Sequence, residues 1–284
     1  MEKSGLVVEG GGMRGIYAAG VLDVMMDHGF HFDGIIGVSA GAIHGCTMVA
    51  GQRGRSIRYY RKYCQDKRFM SIHSLLKTGD IVGRDFCYRE LPEVLDPFDY
   101  EAYEQSDTRF YATCSNLETG RAEYLEVTDM RRQIDIIRAS ASLPYVSHIV
   151  DVDGKKLLDG GCTDSIPFQA FQKMGYSRTV VVLTRDVTYR KEPENILPAR
   201  FVYHKYPAFI QALKYRHEVY NQTREELLRM EQEGSIFVIR PSKVLTIERM
   251  CHDPEKIQET YDIGRRDMEN VTDSLQEWLG ECKG

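Results

Sequence analysis

The chain is poor in several things that would direct its fate. Its 284 residues include one tryptophan and nine prolines, and no apolar run approaches the length of a membrane span, for which about 20 consecutive residues are needed. The opening stretch, MEKSGLVVEGGG, offers only a short apolar run before Glu9, too little for the hydrophobic region of a secretory signal. A cytoplasmic chain is therefore expected, touching a membrane only from its surface. The seven cysteines, at 46, 64, 87, 114, 162, 251 and 282, are odd in number, widely spread and without a C-x-x-C pair. That argues against both a zinc ribbon and a disulfide framework and leaves reduced thiols as the expectation. An excess of basic residues is missing too: 37 Lys and Arg stand against 42 Asp and Glu, so no chain-wide nucleic-acid footprint is expected. There is no internal repeat and no low-complexity linker.

What is present is a core. Hydrophobic residues make up 42% of the chain and charged residues 28%, the balance of a globular protein rather than a disordered one. Leu6-Val7-Val8 is a short apolar run ending in glycines, as a buried strand would be. Ile16, Ala19, Leu22 and Met26 follow at helical spacing, with Gly29 as a C-cap. Ile35 to Val38 is a second buried run, and Ala40 to Ala50 a second helix. This alternation implies parallel strands in a layered α/β fold. Short helical patterns run to about residue 105. Strands are expected at 109–114 and 123–127, a helix from Met130 to about Ser140 stopping before Pro144, a hairpin over 150–158 and a strand at 179–184. Residues 185–207 read as a loop or lid. A helix from Phe209 to about Gly234, a strand at 235–240 and one long helix from Ile257 to Trp278 complete the chain. The simplest arrangement is a domain over 4–185 with a mostly helical extension, 186–284, packed on it.

Three glycine-bearing motifs stand where strands end. Gly10-Gly11-Gly12-Met13-Arg14-Gly15 leaves the first strand and enters the first helix. By itself it matches the dinucleotide pattern G-x-G-x-x-G, but that reading needs an acid ending the second strand. Asp33 lies at the start of that strand instead. Its end runs into Gly37-Val38-Ser39-Ala40-Gly41, a G-x-S-x-G motif whose sharp turn lifts a serine hydroxyl above a sheet. The helix that follows favours developing negative charge there. The third motif, Asp159-Gly160-Gly161, closes an apolar strand. Acyl transfer joins the three: a nucleophile, Ser39; glycine amides of Gly10 to Gly12 aimed at an oxyanion; and a base, Asp159.

In that order, G-G-G-x-R-G, G-x-S-x-G and D-G-G resemble the patatin-like phospholipases, over roughly residues 4 to 185. Ala139 to Pro144 is similar to the family's A-S-x-x-x-P segment. The resemblance implies a three-layer α/β fold with a mostly parallel sheet, and a Ser39–Asp159 dyad working without metal or cofactor. It also implies an oxyanion site at Gly10 to Gly12, with Arg14 fixing the loop and Gly15, Gly37, Gly41, Gly160 and Gly161 permitting the close turns. The implied substrate is a lipid ester, a phospholipid or lysophospholipid.

Two other readings stay open. One is an α/β-hydrolase triad, because His204, His217 and His252 all follow Asp159. The other is a non-catalytic lipid-binding module retaining the fold. The basic segment 53–68 (Arg53, Arg55, Arg58, Arg61, Lys62, Lys67 and Arg68 among three tyrosines), and the mixed basic and aromatic stretch from Arg200 to Arg216, read either as surfaces for anionic headgroups or as helix faces carrying ordinary salt bridges.

Overall fold

The computed structural model describes residues 2–280; of the seven cysteines, Cys282 lies outside the described residues, and the other six are free. The chain opens with β1 (Ser4–Val8), α1 (Ile16–Asp27), β2 (Gly34–Val38) and α2 (Ala40–Val49). Next come α3 (Arg55–Tyr63), α4 (Ile72–Thr78), a π-helical segment over Phe86–Leu95 that contains Pro92, and α5 (Tyr100–Glu104). The second half of the sheet region holds β3 (Arg109–Asn116), β4 (Arg121–Glu126), α6 (Ile134–Ser140), β5 (Val150–Val152), β6 (Lys155–Asp159), α7 (Phe168–Lys173) and β7 (Arg178–Val182). Then follow α8 (Leu197–Val202), α9 (Pro207–Gln232), β8 (Phe237–Ile239), α10 (Pro254–Glu269) and α11 (Thr272–Leu279).

One eight-stranded sheet runs β5-β6-β3-β2-β1-β7-β8, with β4 beside β3. The pairs from β3 through β2, β1 and β7 to β8 are parallel, and β4, β5 and β6 join antiparallel. The strand pattern follows from covering both faces. Leu6 and Val8 point into the larger core, shared with Ile16, Leu22 and Ile257, while Val7 points into a second core with Phe171, Tyr220 and Leu227. A strand buried on both sides has no polar face to show, so it reads as a continuous apolar run. The result is three layers, α1, α2 and α10 on one face and α7 and α9 on the other.

The region beyond residue 185 is thus built into the layers. α10 crosses α1 so closely that a Cβ on Gly20 would lie 2.2 Å from the Tyr261 carbonyl oxygen, and one on Gly264 would lie 2.0 Å from that of Tyr17. At the same crossing the Tyr261 hydroxyl donates to Asp23 at 2.6 Å.

Three elements differ from the sequence reading. The expected final helix is two helices, because the chain leaves helical geometry at Val271; the break lets Trp278 turn onto Phe237 of β8, with ring centroids 5.9 Å apart. The helix before Pro144 starts at Ile134 rather than Met130, since the Gln133 side chain accepts the N–H groups of Thr128 and Asp129 and holds the preceding segment as a turn. The stretch 185–207 is irregular except for α8. Among the described residues no helix is long and apolar enough to cross a membrane.

Candidate active site

β3 acts as the ruler of the site. β2 pairs with it from Gly34 opposite Arg109 to Val38 opposite Thr113. β6 pairs with it in the other direction, from Leu157 opposite Asn116 to Asp159 opposite Cys114. β4 runs along residues 111–116 and overlaps both, so it holds one edge of β3 while β2 and β6 share the other. Their C-terminal ends therefore meet head to head at Thr113 and Cys114. Ser39, one residue past Val38, and Asp159 are brought together by strand register, and both line one cavity of about 400 Å³.

Ser39 occupies backbone that few side chains accept, with φ 56° and ψ −123°, a conformation costing roughly 1–3 kcal/mol that the surroundings must impose. They do so on both sides. Its N–H donates to the Ser140 hydroxyl at 3.0 Å, and that hydroxyl donates to the Thr113 carbonyl at 2.7 Å. Its carbonyl accepts Ala42 N–H at 2.9 Å as α2 begins. Close packing demands the flanking glycines: a Cβ on Gly41 would lie 2.2 Å from the Val8 carbonyl oxygen, and one on Gly37 2.5 Å from Ala42. Although Ser39 is the N-cap of α2, its hydroxyl caps nothing and is left for the cavity.

Asp159 is 3% exposed. Its Oδ1 accepts Gly161 N–H at 2.8 Å, whereas Oδ2 is buried without a hydrogen-bond partner. Burial raises the Asp159 pKa above its usual 3.8; the Ser39 hydroxyl, Arg216, Gly161 N–H and Arg249 oppose that rise without cancelling it. Gly160 follows because a Cβ there would lie 2.1 Å from the Thr113 carbonyl oxygen. The pair thus offers a hydroxyl and an unengaged carboxylate oxygen in a site shielded from water.

Gly10, Gly11 and Gly12 line the same cavity, and their N–H groups find no acceptor among the described residues. The loop is held from its other side. Thr184 donates its hydroxyl to the Gly10 carbonyl at 2.6 Å, Gly12 takes the left-handed φ of 59°, and Met13 N–H donates to the Arg249 carbonyl at 3.2 Å. Gly15 abuts α2, where a Cβ would lie 2.5 Å from that of Ala40. The Arg14 guanidinium forms no hydrogen bond or ion pair among the described residues. Its Nε is buried without a partner, and burial, with Arg185 and Arg249 nearby, lowers its pKa to about 10.

Several site residues escaped the sequence reading. Glu9 is buried, and its carboxylate accepts Thr184 N–H at 2.7 Å and the Tyr220 hydroxyl at 2.7 Å. Arg216 of α9 donates to the Gly161 carbonyl at 2.6 Å and pairs with Glu194 at 3.1 Å. Arg185, Lys191 and Arg249 line the wall. All but Glu9 come from beyond the three motifs, and no spacing rule relates them to Ser39. Ser140, in the 139–144 segment, holds the Ser39 N–H, a contact that no local pattern signals.

Among the described residues no histidine lines the cavity. The His204 ring contacts the Phe201 carbonyl, His252 that of Cys64, and His217 lies 3.8 Å from Glu218. Asp33 is spent at the far end of β2, accepting Ser4 N–H at 2.7 Å. Among the described residues no cluster of three His, Cys, Asp or Glu side chains is placed to hold a metal ion. In the basic segment Arg53, Arg55, Arg58, Arg61 and Arg68 all form ion pairs, with Asp27, Asp96, Asp96, Glu255 and Asp66 respectively, the pattern of a salt-bridged helix face.

A second, narrower cavity of about 70 Å³ opens from the same serine. It shares Gly12, Ser39, Met70 and Leu143 with the first, and is otherwise walled by Ile43, Tyr59, Tyr60, Phe69 and Leu91 among its apolar side chains. Ser39 stands where a chamber carrying charged side chains meets one walled mostly by apolar ones.

Residues 6–171 match the family described as patatin-like phospholipase, and residues 206–280 match a domain of unknown function. The protein YjjU of Escherichia coli K12 is 30% identical over 189 residues, covering 63% of this chain and 51% of the relative. Lysophospholipase NTE1 of Meyerozyma guilliermondii is 26% identical over 186 residues, 64% of this chain but 12% of the relative. The chain therefore spans about half of YjjU and a small part of NTE1. The crystal structure of VipD from Legionella pneumophila superposes with a TM-score of 0.50 at 12% identity, covering 96% of this chain and 67% of that one, a likeness of fold.

Proposed function

Because this chain belongs to the patatin-like phospholipase family, we propose that it hydrolyses carboxylic esters of lipids, with Ser39 as nucleophile and Asp159 as base. The observation that carries this reading is the shared cavity: a strained serine whose hydroxyl caps nothing lies beside a carboxylate whose Oδ2 is unengaged. Asp159 takes the Ser39 proton as Oγ attacks the ester carbonyl, and the developing oxyanion turns to the free N–H groups of Gly10 to Gly12. As the carbon–oxygen bond breaks, Asp159 returns the proton to the departing alcohol. A water then repeats the sequence on the acyl-serine, and the serine is regenerated.

The apolar chamber beside Ser39 suits the acyl chain, and the larger chamber with its charged side chains suits the alcohol side. NTE1, named a lysophospholipase, favours a phospholipid or lysophospholipid substrate. The lack of a histidine in the cavity disfavours the triad alternative. The test is labelling with a fluorophosphonate, which captures activated serines, followed by incubation with a lipid extract and mass spectrometry of released acyl chains. Labelling and release that both vanish in Ser39→Ala support the reading. A wild-type chain that binds lipid yet neither labels nor releases acid leaves the non-catalytic module instead.

A further inference from the structure

On α9, Arg216 and Tyr220 stand one turn apart on one face,, and each holds a different loop of the site. Tyr220 meets Glu9 at the start of the glycine loop. Arg216 reaches the turn after the base: its Nε donates to the Gly161 carbonyl at 2.6 Å, while Gly161 N–H donates to Asp159 Oδ1 at 2.8 Å. Gly161 thus links guanidinium to carboxylate. The main chain of Asp159 is already held without α9, since its N–H donates to the Ser142 carbonyl at 2.8 Å and its carbonyl accepts the Ser115 hydroxyl at 2.7 Å. What remains to be set is the direction of the side chain, which follows the Gly161 N–H. That bond occupies Oδ1 and leaves Oδ2 unengaged.

Charge reinforces the geometry. The titratable groups facing Asp159 are the Ser39 hydroxyl, Cys114 on β3, Cys162 in its own turn, Arg216 on α9 and Arg249 on the loop after β8. Burial pushes both thiols up, Cys162 to about 12, so they stay neutral and the ionised neighbours are the two arginines. Burial raises the Asp159 pKa, and after the Ser39 hydroxyl it is Arg216 that opposes the rise most. Glu9, Arg14, Arg185, Lys191 and Glu194 complete the charged lining of the cavity. Glu194 pairs with Arg216 at 3.1 Å, but its side chain is 44% exposed and screened by water, whereas Asp159 is buried,. A carboxylate so enclosed ionises only beside a compensating cation.

We propose that Arg216 is a positioning residue for Asp159: from α9 it fixes the Gly161 turn that aims the carboxylate, and it supplies the positive charge that lets that carboxylate ionise away from water. This rests on the reading of Asp159 as base. Arg216 lies outside residues 6–171 and within residues 206–280, the part that matches a domain of unknown function; that segment then takes part in the reaction by conditioning the base.

The test follows the Asp159 carboxyl itself, by difference infrared titration of the full chain against Asp159→Asn, beside pH profiles of kcat and KM for ester hydrolysis. Arg216→Gln is expected to raise the carboxyl midpoint and the acid limb of kcat together by about one pH unit. It also lowers kcat about tenfold or more with KM within about twofold. Arg216→Lys keeps the charge and returns the midpoint toward wild type, while kcat recovers only in part because an ammonium cannot reproduce the guanidinium fork. Glu194→Gln removes the charge opposing Arg216 and keeps a hydrogen-bonding partner for it, so both midpoints move down. Opposite shifts from these two neutralising variants are what a merely structural arginine would not produce. A carboxyl midpoint that Arg216→Gln does not raise, or that both variants move in one direction, overturns the proposal. If Arg216→Gln does not fold, Glu194→Gln decides alone: a downward shift supports the proposal and none overturns it. Carboxyl midpoints that shift as expected while no rate limb follows them support the hold of Arg216 on Asp159 and overturn Asp159 as base.

Discussion

The Tyr220 hydroxyl donates to Glu9 Oε1 at 2.7 Å, joining the middle of α9 to the residue that follows β1. Glu9 is buried and takes its remaining hydrogen bonds from Thr184, so the bond fixes the start of the glycine loop to both the sheet and the C-terminal part of the chain. Tyr220→Phe leaves a buried carboxylate short of one donor. The expected loss is about 1–3 kcal/mol, read as a lower denaturant midpoint with an unchanged slope. An unaltered midpoint would show that Glu9 is satisfied without Tyr220.

Ser39 trades stability for position. A glycine accepts φ 56° without the side-chain penalty,, so Ser39→Gly should unfold at or above the wild-type temperature while losing all ester turnover. Calorimetry and an ester assay on the same preparation check both halves. A clear fall in melting temperature would mean that the elbow is not strained.

Asp159 makes the same trade through charge. Burial raises its folded pKa above the unfolded value, so the folded state holds this proton to higher pH than the unfolded state does. Its contribution is favourable below the unfolded pKa and turns unfavourable as pH rises through the raised folded value. At neutral pH, Asp159→Asn should therefore raise the melting temperature, by about 2–4 °C for each kcal/mol regained, while turnover falls by orders of magnitude. If Asp159 is the base, the acid limb of the wild-type rate profile should have its midpoint above the usual 3.8, because only an ionised carboxylate can accept a proton. A variant that melts earlier, or a limb at the ordinary value, contradicts the buried-base reading.

Histidine should be dispensable. His204, His217 and His252 lie outside the cavity, so His204→Gln and His252→Gln should keep turnover within about twofold, far from the loss of several decades that removing a triad member causes. Steady-state kinetics on the folded variants decides; one silent variant would restore the triad.

The elbow has no room for even a methyl group. Gly41→Ala puts a Cβ 2.2 Å from the Val8 carbonyl, backbone that cannot swing away, so a cost of about 1–3 kcal/mol or more is expected together with a large fall in turnover. Normal melting and normal kinetics would place the serine on a looser turn than the one described.

The local sequence determined what depends on near neighbours. Leu6 to Val8 and Ile35 to Val38 read as buried strands because both their faces are covered, and the 37–41 motif read as a strand-to-helix turn because its small residues tolerate close approach. The order of the three motifs was enough to point to Ser39, Asp159 and the Gly10 to Gly12 loop as one site. Tertiary structure decided what depends on register and on distant segments. That β2 and β6 end head to head along β3 is a property of pairing, invisible to any window of sequence. Arg185 and Lys191 enter the site on the segment after β7, Arg216 and Tyr220 on α9 and Arg249 on the segment after β8, and nothing in the local sequence of any of them points to Ser39. The split of the last helix at Val271 has the same origin. Periodicity along Ile257 to Trp278 is continuous, but the packing of Trp278 on Phe237 requires a turn, and side-chain burial outweighed the local preference for one straight helix.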